Sequence, residues 1–192
     1  MKRRTAIGRI LLTGVIGAGA FSGYKWYEWN KSPDFGYLDT HRATLAALVQ
    51  TILPPGPSIP GAADAGVHDY IIRIVKDCAG IHTANVFIDG LKDLAHYSRA
   101  NYTKEYETCT PEQQTAILKH FEEKGRPMDG ILGKAENKFL GKAFFYQLRQ
   151  YTVQGYCTSE LGAGKGLAYV AIPGSFHGCI PKTQGQRAWA TK

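Results

Sequence analysis

Residues 65–80 read AGVHDYIIRIVKDCAG. Their apolar positions, Val67, Tyr70, Ile71, Ile74, Val75 and Cys78, recur every three or four residues. That spacing lines them along one face of a helix, whereas a half-buried strand would alternate every second residue. Gly80 then ends the run, as glycine does where a helix must stop. The stretch predicts an amphipathic helix with a single stripe turned toward a core, and most of the chain repeats the pattern.

Downstream, a second helix is predicted from about Thr83 to Asn101, with Phe87, Leu91, Leu94 and Ala95 inward. TPEQQ at 110–114 follows. Thr110 is placed to cap a helix, Pro111 sits where a missing N–H costs nothing, and Gln113 is placed to reach back to the cap. This third helix turns Ile117, Leu118 and Phe121 inward and ends at Gly125. A last one is predicted from about Lys134 to Gln154, burying Phe139, Phe145, Leu148 and Thr152.

Upstream, Asp39 or Thr40 is the expected cap of a helix carrying Leu45, Leu48, Val49 and Ile52. Pro54-Pro55-Gly56-Pro57 stops it, because proline cannot donate to the helical ladder and restricts the residue before it. PGPSIPGAADAG therefore reads as a stiff, ordered loop. Only Leu167 to Ile172 hints at a strand. The expected class is all-α: a single domain of four to five helices with a long irregular Gly/Pro-rich C-terminal segment.

That segment, GYCTSELGAGKGLAYVAIPGSFHGCIP, has almost no helical periodicity. Tyr156, Leu161, Leu167, Tyr169, Ile172 and Phe176 give it too much apolar surface for disorder. Long structureless stretches within small domains are usually functional or packed against something. Pro54, Pro60, Tyr156, Tyr169, Pro173, Phe176 and His177 are the candidates for a partner interface. The competing reading is a loop that covers only its own helices.

The N-terminus reads differently. MKRRTAIGRILLTGVIGAGA places Lys2, Arg3, Arg4 and Arg9 ahead of a short apolar run and a small-residue A-x-A ending at Ala20. This is the layout of a bacterial export signal over residues 1–20, and the adjacent Arg3 and Arg4 favour the twin-arginine route. The apolar run is well short of the roughly 20 residues that span a bilayer. Residues 21–38 read as an aromatic-polar linker and 39–192 as the helical domain. The alternative is an uncleaved anchor, with Tyr24, Trp26, Tyr27 and Trp29 as an interfacial belt.

The 192 residues suffice for one domain of ordinary size. The formal charge of +7 overstates the basicity of the folded part. Four of the 23 basic residues lie in the signal, so 19 face 16 acids, a balance of +3. No other basic stretch is interleaved with aromatics, so no nucleic-acid partner is expected. Four cysteines in an exported chain tend to pair. The favoured pairs are Cys157 with Cys179 and Cys78 with Cys109, and closing the first loop would be worth about 3 kcal/mol. A bridge to a partner subunit and a metal site on His177 and Cys179 are the alternatives; the second lacks ligand spacing.

Catalytic signatures are missing. There is no G-x-G-x-x-G after a strand, no C-x-x-C-H and no H-E-x-x-H. GAGKG at 162–166 lacks the spacing of a phosphate loop. Ser175 and His177 lie outside a G-x-S-x-G elbow, and two residues of separation do not orient a triad. His41, His68, His82, His96 and His120 are scattered, with His68 and His96 expected to be satisfied structural residues. The expected inventory of catalytic, cofactor-binding and metal-binding residues is empty, which points to a protein that binds. Cells reserve the twin-arginine route mainly for cargo folded around a cofactor, so the passenger is expected to be a partner.

Two stretches then suggest relatives: LVQTILPPGPSIPGAADAGVHDYI and GYCTSELGAGKGLAYVAIPGSFHGCIP. With the twin-arginine start, they resemble the gluconate 2-dehydrogenase subunit 3 family, small subunits of membrane-bound flavin dehydrogenases. Pro60, Gly61, Ala62, Ala65, Gly66 and Val67 match its early motif. Gly155, Tyr156, Thr158, Ser159, Glu160, Pro173, Gly174, Gly178, Cys179 and Pro181 match its late one. The resemblance implies a periplasmic complex attached to the inner membrane. Its large subunit holds FAD and oxidises a sugar, sugar acid or polyol of the gluconate, fructose, sorbitol or glucose type. A multihaem cytochrome c subunit passes the electrons on. The small subunit, with no cofactor of its own, stabilises the flavoprotein and takes it to the twin-arginine translocase. A freestanding membrane-tethered scaffold and an autonomous enzyme built on Ser175, His177 or a reactive cysteine are the rival expectations.

Overall fold

The computed structural model describes residues 31–126 and 142–168, with positions 172, 174, 175, 178, 179, 181 and 184–189 of the C-terminal segment. The predicted export signal, Arg3 and Arg4 included, lies outside the described residues, as do Phe139, Tyr169, Pro173, Phe176 and His177.

The described chain is all-helical: α1 (Phe35–Thr40), α2 (Arg42–Ile52), α3 (Val67–Asp77), α4 (Ile81–Tyr102), α5 (Pro111–Lys124) and α6 (Phe144–Thr158). A 3₁₀ turn spans Tyr106–Thr108 and a π-helical turn Gly162–Gly166. α6 is the hub, packing against α2, α3, α4, α5 and the π turn. Their inward faces form one core, with Leu45, Leu48, Ile71, Phe87, Leu91, Leu94, Ile117 and Leu148 among its members.

The stripe over 65–80 forms α3 as its spacing requires. Val67, Ile71 and Val75 are fully buried, and Tyr70 and Ile74 pack at the margin. Cys78 departs from the expectation: it follows the last helical turn and is exposed. Ile72, one step off the stripe, is buried instead.

α5 carries both halves of its capping box. The Gln113 amide N–H donates to Thr110 Oγ1 at 3.4 Å, and the Thr110 N–H donates to Gln113 Oε1 at 3.0 Å. Each bond satisfies a donor the first helical turn leaves orphaned.

Three boundaries differ from those read in the sequence. The first helical stretch opens at Phe35, not near Asp39. Asp34 caps it by accepting from the Tyr37 N–H at 3.3 Å, and Leu38, in the stretch read as linker, is fully buried. The chain kinks at His41, whose ring stacks on Tyr37 at 3.8 Å, before α2 begins. The last helix starts at Phe144, because Ala143 is extended, and it runs on through Gly155, Tyr156, Cys157 and Thr158. Those four residues looked irregular because Gly155 is a poor helix former. Tertiary contact overrides that cost: a Cβ on Gly155 would lie 2.5 Å from Tyr70 Cδ1 and 3.1 Å from Val67 Cγ1. Gly90 in α4 plays the same part opposite Phe144, where a Cβ would collide with the Phe144 Cβ.

The structure contains no disulfide, and all four cysteines stand unpaired in it. For Cys78 and Cys109 the obstacle is the length of α4. Cys78 precedes its first turn, whereas Cys109 Sγ lies 3.4 Å from Ser98 Oγ near its other end. At 1.5 Å per residue that separation is about 25 Å, far beyond the roughly 6 Å between bridged Cα atoms. Cys109 instead donates to the Glu105 carbonyl. Cys157 sits on α6, half-buried, and Cys179 is exposed, with no bond between them.

Candidate docking face

Two loops without helical pattern meet beside the C-terminal half of α6. The first leaves α2 at Leu53, and Pro54 to Ser58 stand exposed. Gly56 and Ile59 close a tight turn, the Gly56 N–H donating to the Ile59 carbonyl at 2.9 Å. The chain then folds back on α2. The Ala62 N–H donates to the Leu53 carbonyl at 3.0 Å, and the Ala63 N–H to Gln50 Oε1 at 3.0 Å. Asp64 Oδ2 accepts from the Gly61 N–H at 2.9 Å. Gly66 adopts a left-handed conformation (φ 67°) that turns the chain into α3, a backbone region open to glycine at little cost. The stiffness expected of PGPSIPGAADAG thus comes from hydrogen bonds as much as from proline.

The second loop leaves the end of α6. Ser159 Oγ donates to the Tyr156 carbonyl at 2.8 Å and accepts from the Gly162 N–H at 2.9 Å, folding GAGKG into its π turn. Gly162 and Gly166 leave no room for side chains against Tyr156. Gly162 and Gly166 therefore serve packing, whereas Gly164 faces open space.

Tyr156 joins the two loops. Its hydroxyl donates to the Pro60 carbonyl at 2.8 Å across 96 residues of sequence. At 7% exposure it is a clasp within the domain and presents almost no surface to a partner, unlike the expectation. Burial raises its hydroxyl above the ordinary tyrosine range, so it stays a donor at neutral pH. Pro60 is half-buried and Pro54 exposed, leaving Pro54 the more accessible of these interface candidates.

The tail returns to this clasp. The Ala168 N–H donates to the Ala188 carbonyl at 2.8 Å, forming an isolated parallel bridge between Ala168 and Trp189. Ala168 lies in the stretch that hinted at a strand. Arg187 Nη1 donates to the Lys165 carbonyl at 2.8 Å, and Trp189 is 54% exposed. Sequence reading missed Gln50, Arg187 and Trp189, since nothing local announces a bond to residue 63 or 165. One signal was available. From Leu161 to Lys192 the chain has Lys165, Lys182, Arg187 and Lys192 and no acid, while 31–160 is nearly balanced. Of these, Lys165 and Arg187 lie among the described residues, and both are exposed.

The histidines do not converge. His41 and His120 stack on Tyr37 and Tyr97, and His96 is exposed. His68 is less satisfied than expected: its Nε2 lies 3.6 Å from Asp69 Oδ1, and its buried Nδ1 has no hydrogen-bond partner among the described residues. Desolvation lowers the pKa of His82. Among the described residues no three His, Cys, Asp or Glu side chains cluster as metal ligands, and no helix is long and apolar enough to cross a membrane.

Residues 39–174 match the family model described as gluconate 2-dehydrogenase subunit 3, a span that takes in both loops and the Tyr156–Pro60 clasp. No curated protein and no solved structure matches the chain. The match covers well over half of the 192 residues, and the chain belongs to the gluconate 2-dehydrogenase subunit 3 family.

Proposed function

We propose that this chain is the non-catalytic small subunit of a periplasmic, membrane-associated FAD-dependent dehydrogenase acting on a sugar, sugar acid or polyol. The family match through both loops carries the reading. The flavoprotein subunit supplies FAD and the substrate site, and a cytochrome c subunit takes the electrons. This chain contributes docking surface and the Arg3-Arg4 export address. Exposed Lys165, Arg187 and Trp189, with the exposed Pro54–Ser58 turn, suit that role, since interfaces are enriched in tryptophan and arginine.

The test is to produce the flavoprotein with the chain, without it, and with Arg3→Lys/Arg4→Lys. Dye-linked dehydrogenase activity with gluconate, fructose, sorbitol and glucose is then measured in the periplasmic fraction. Activity is expected only with the intact chain. Undiminished periplasmic activity without it, or stoichiometric flavin or haem on the purified chain alone, would overturn the reading.

A further inference from the structure

The turn from Pro54 to Ser58 is held at its tip and at its base, yet it gives nothing to the core. Its tip is closed by two reciprocal bonds, the Gly56 N–H to the Ile59 carbonyl at 2.9 Å and the Ile59 N–H to the Gly56 carbonyl at 3.4 Å. Its base is tied by the Ala62 N–H on the Leu53 carbonyl and by the Tyr156 hydroxyl on the Pro60 carbonyl. Pro54, Pro55 and Pro57 fix three of its φ angles besides. All five residues are exposed, and none joins the core or packs at its margin. A projection so fixed has little conformational entropy to lose when a partner covers it.

Charge is arranged around the turn. No Asp, Glu, Lys or Arg lies between Arg42 and Asp64, or between Lys165 and Lys182, the two longest such runs after Lys31. Tyr156 brings the two runs together: its hydroxyl donates to Pro60 in the first, and Gly166 in the second packs against it. Asp64 ends the first run, Glu160 and Lys165 precede the second, and Arg187 bonds to Lys165. All four are exposed, and they carry both signs. An uncharged centre inside a charged rim is the anatomy of a protein–protein interface. The other exposed apolar side chains on the helices, Ile81 and Val153, stand singly, as is ordinary for a protein surface.

We propose that the Pro54–Ser58 turn is the centre of the contact with the flavoprotein subunit, and that the flavoprotein meets it with an uncharged groove lined by aromatic rings. Proline offers flat C–H faces to such rings, and a carbonyl with no competing N–H to an indole N–H or a tyrosine hydroxyl. A carboxylate or ammonium in that groove would meet no counter-charge on the turn and would be buried unpaired. The inference rests on the dehydrogenase reading, which supplies the partner; it adds which part of this chain the partner grips and by what chemistry.

The test isolates the full-length, tagged chain from detergent-extracted membranes of its native cells and counts the flavin carried with it, released by digestion and read by fluorescence. The wild-type chain is expected to carry flavin in near-equal amount and to keep it through a wash in about 1 M sodium chloride, which screens surface charge. Ser58→Asp is expected to retain at least tenfold less flavin with an unchanged Tm. Ile81→Asp, an exposed position beyond the opposite end of α3, is expected to retain all of it. A photo-crosslinking residue, p-benzoylphenylalanine, is expected to join the chain to a flavoprotein dehydrogenase from position 58 and not from position 81. A wild-type chain without flavin overturns the dehydrogenase reading and the docking with it. Flavin kept in full by Ser58→Asp, or a crosslink from position 58 to a second copy of this chain, overturns the docking alone. Flavin lost from the wild type in salt does the same, since it assigns the contact to the charged rim.

Discussion

Gly90→Ala sets two effects of known size against each other. Gly90 lies in the interior of α4, a 22-residue helix, where alanine is favoured over glycine by about 1 kcal/mol. Propensity alone therefore predicts stabilisation. The contact with α6 predicts the reverse, because a Cβ at position 90 collides with the Cβ of Phe144. Neither atom can rotate away, since a Cβ position is fixed by its own backbone, so the first turn of α6 must move. Phe144 is 6% exposed and holds ring contacts with Phe87 at 5.3 Å and Phe121 at 6.2 Å, all of which shift with it. Overpacking of this kind costs about 1–3 kcal/mol, and a clash between backbone-fixed atoms belongs at the upper end. The net expectation is destabilisation by about 2 kcal/mol, or a Tm lower by about 4–8 °C for a domain of this size. Thermal unfolding followed by circular dichroism measures it. Gly164→Ala, at a position with open space, is the control and is expected to change little. A Gly90→Ala chain more stable than wild type would show that the helices do not approach as closely as described.

Two further outcomes follow from the tyrosines. Tyr156→Phe removes the bond to the Pro60 carbonyl while keeping the ring. It is expected to cost about 1–2 kcal/mol and to speed amide exchange selectively over residues 60–67; unchanged exchange there refutes the clasp. Burial raises the hydroxyl pKa of Tyr37, Tyr70, Tyr106, Tyr151 and Tyr156 above the ordinary 10.0, Tyr106 most of all. Each keeps its proton longer folded than unfolded, so its contribution is complete below pH 10.0 and is lost as pH rises through the folded value. Urea unfolding from neutral pH to above pH 10 is expected to show a steep alkaline loss, shallower in Tyr106→Phe; a flat profile contradicts the burial.

The helices were legible because their information is local. Val67, Ile71 and Val75 announce a buried stripe by spacing alone, and Thr110, Pro111 and Gln113 announce a helix start by chemistry alone. What failed was non-local. Cys78 and Cys109 looked like partners on compartment grounds, but the length of α4 between them is a property of the assembled fold. Gly155 looked like the end of a helix because its neighbour Tyr70 is 85 residues away in sequence. Asp34 was passed over as a cap because the Phe35–Thr40 turn is too short to show a period.

The same distinction bears on what the family motifs mean here. Ala62, Val67, Gly155 and Tyr156 are buried, and their bonds and contacts run to one another, to α2 and to α3. These matched positions specify a clasp that holds two irregular loops in one arrangement. Under the proposed function, the surface offered to a partner is what the clasp displays: the Pro54–Ser58 turn, Lys165, Arg187 and Trp189, which surround the motif residues without repeating them. Affinity for a flavoprotein is therefore expected to respond to two kinds of change. Substitutions at Trp189 or Lys165 act on the contact and leave the domain's stability nearly untouched, as exposed positions do. Substitutions at Tyr156 act on stability first, and reach the partner only through the loops that Tyr156 holds together.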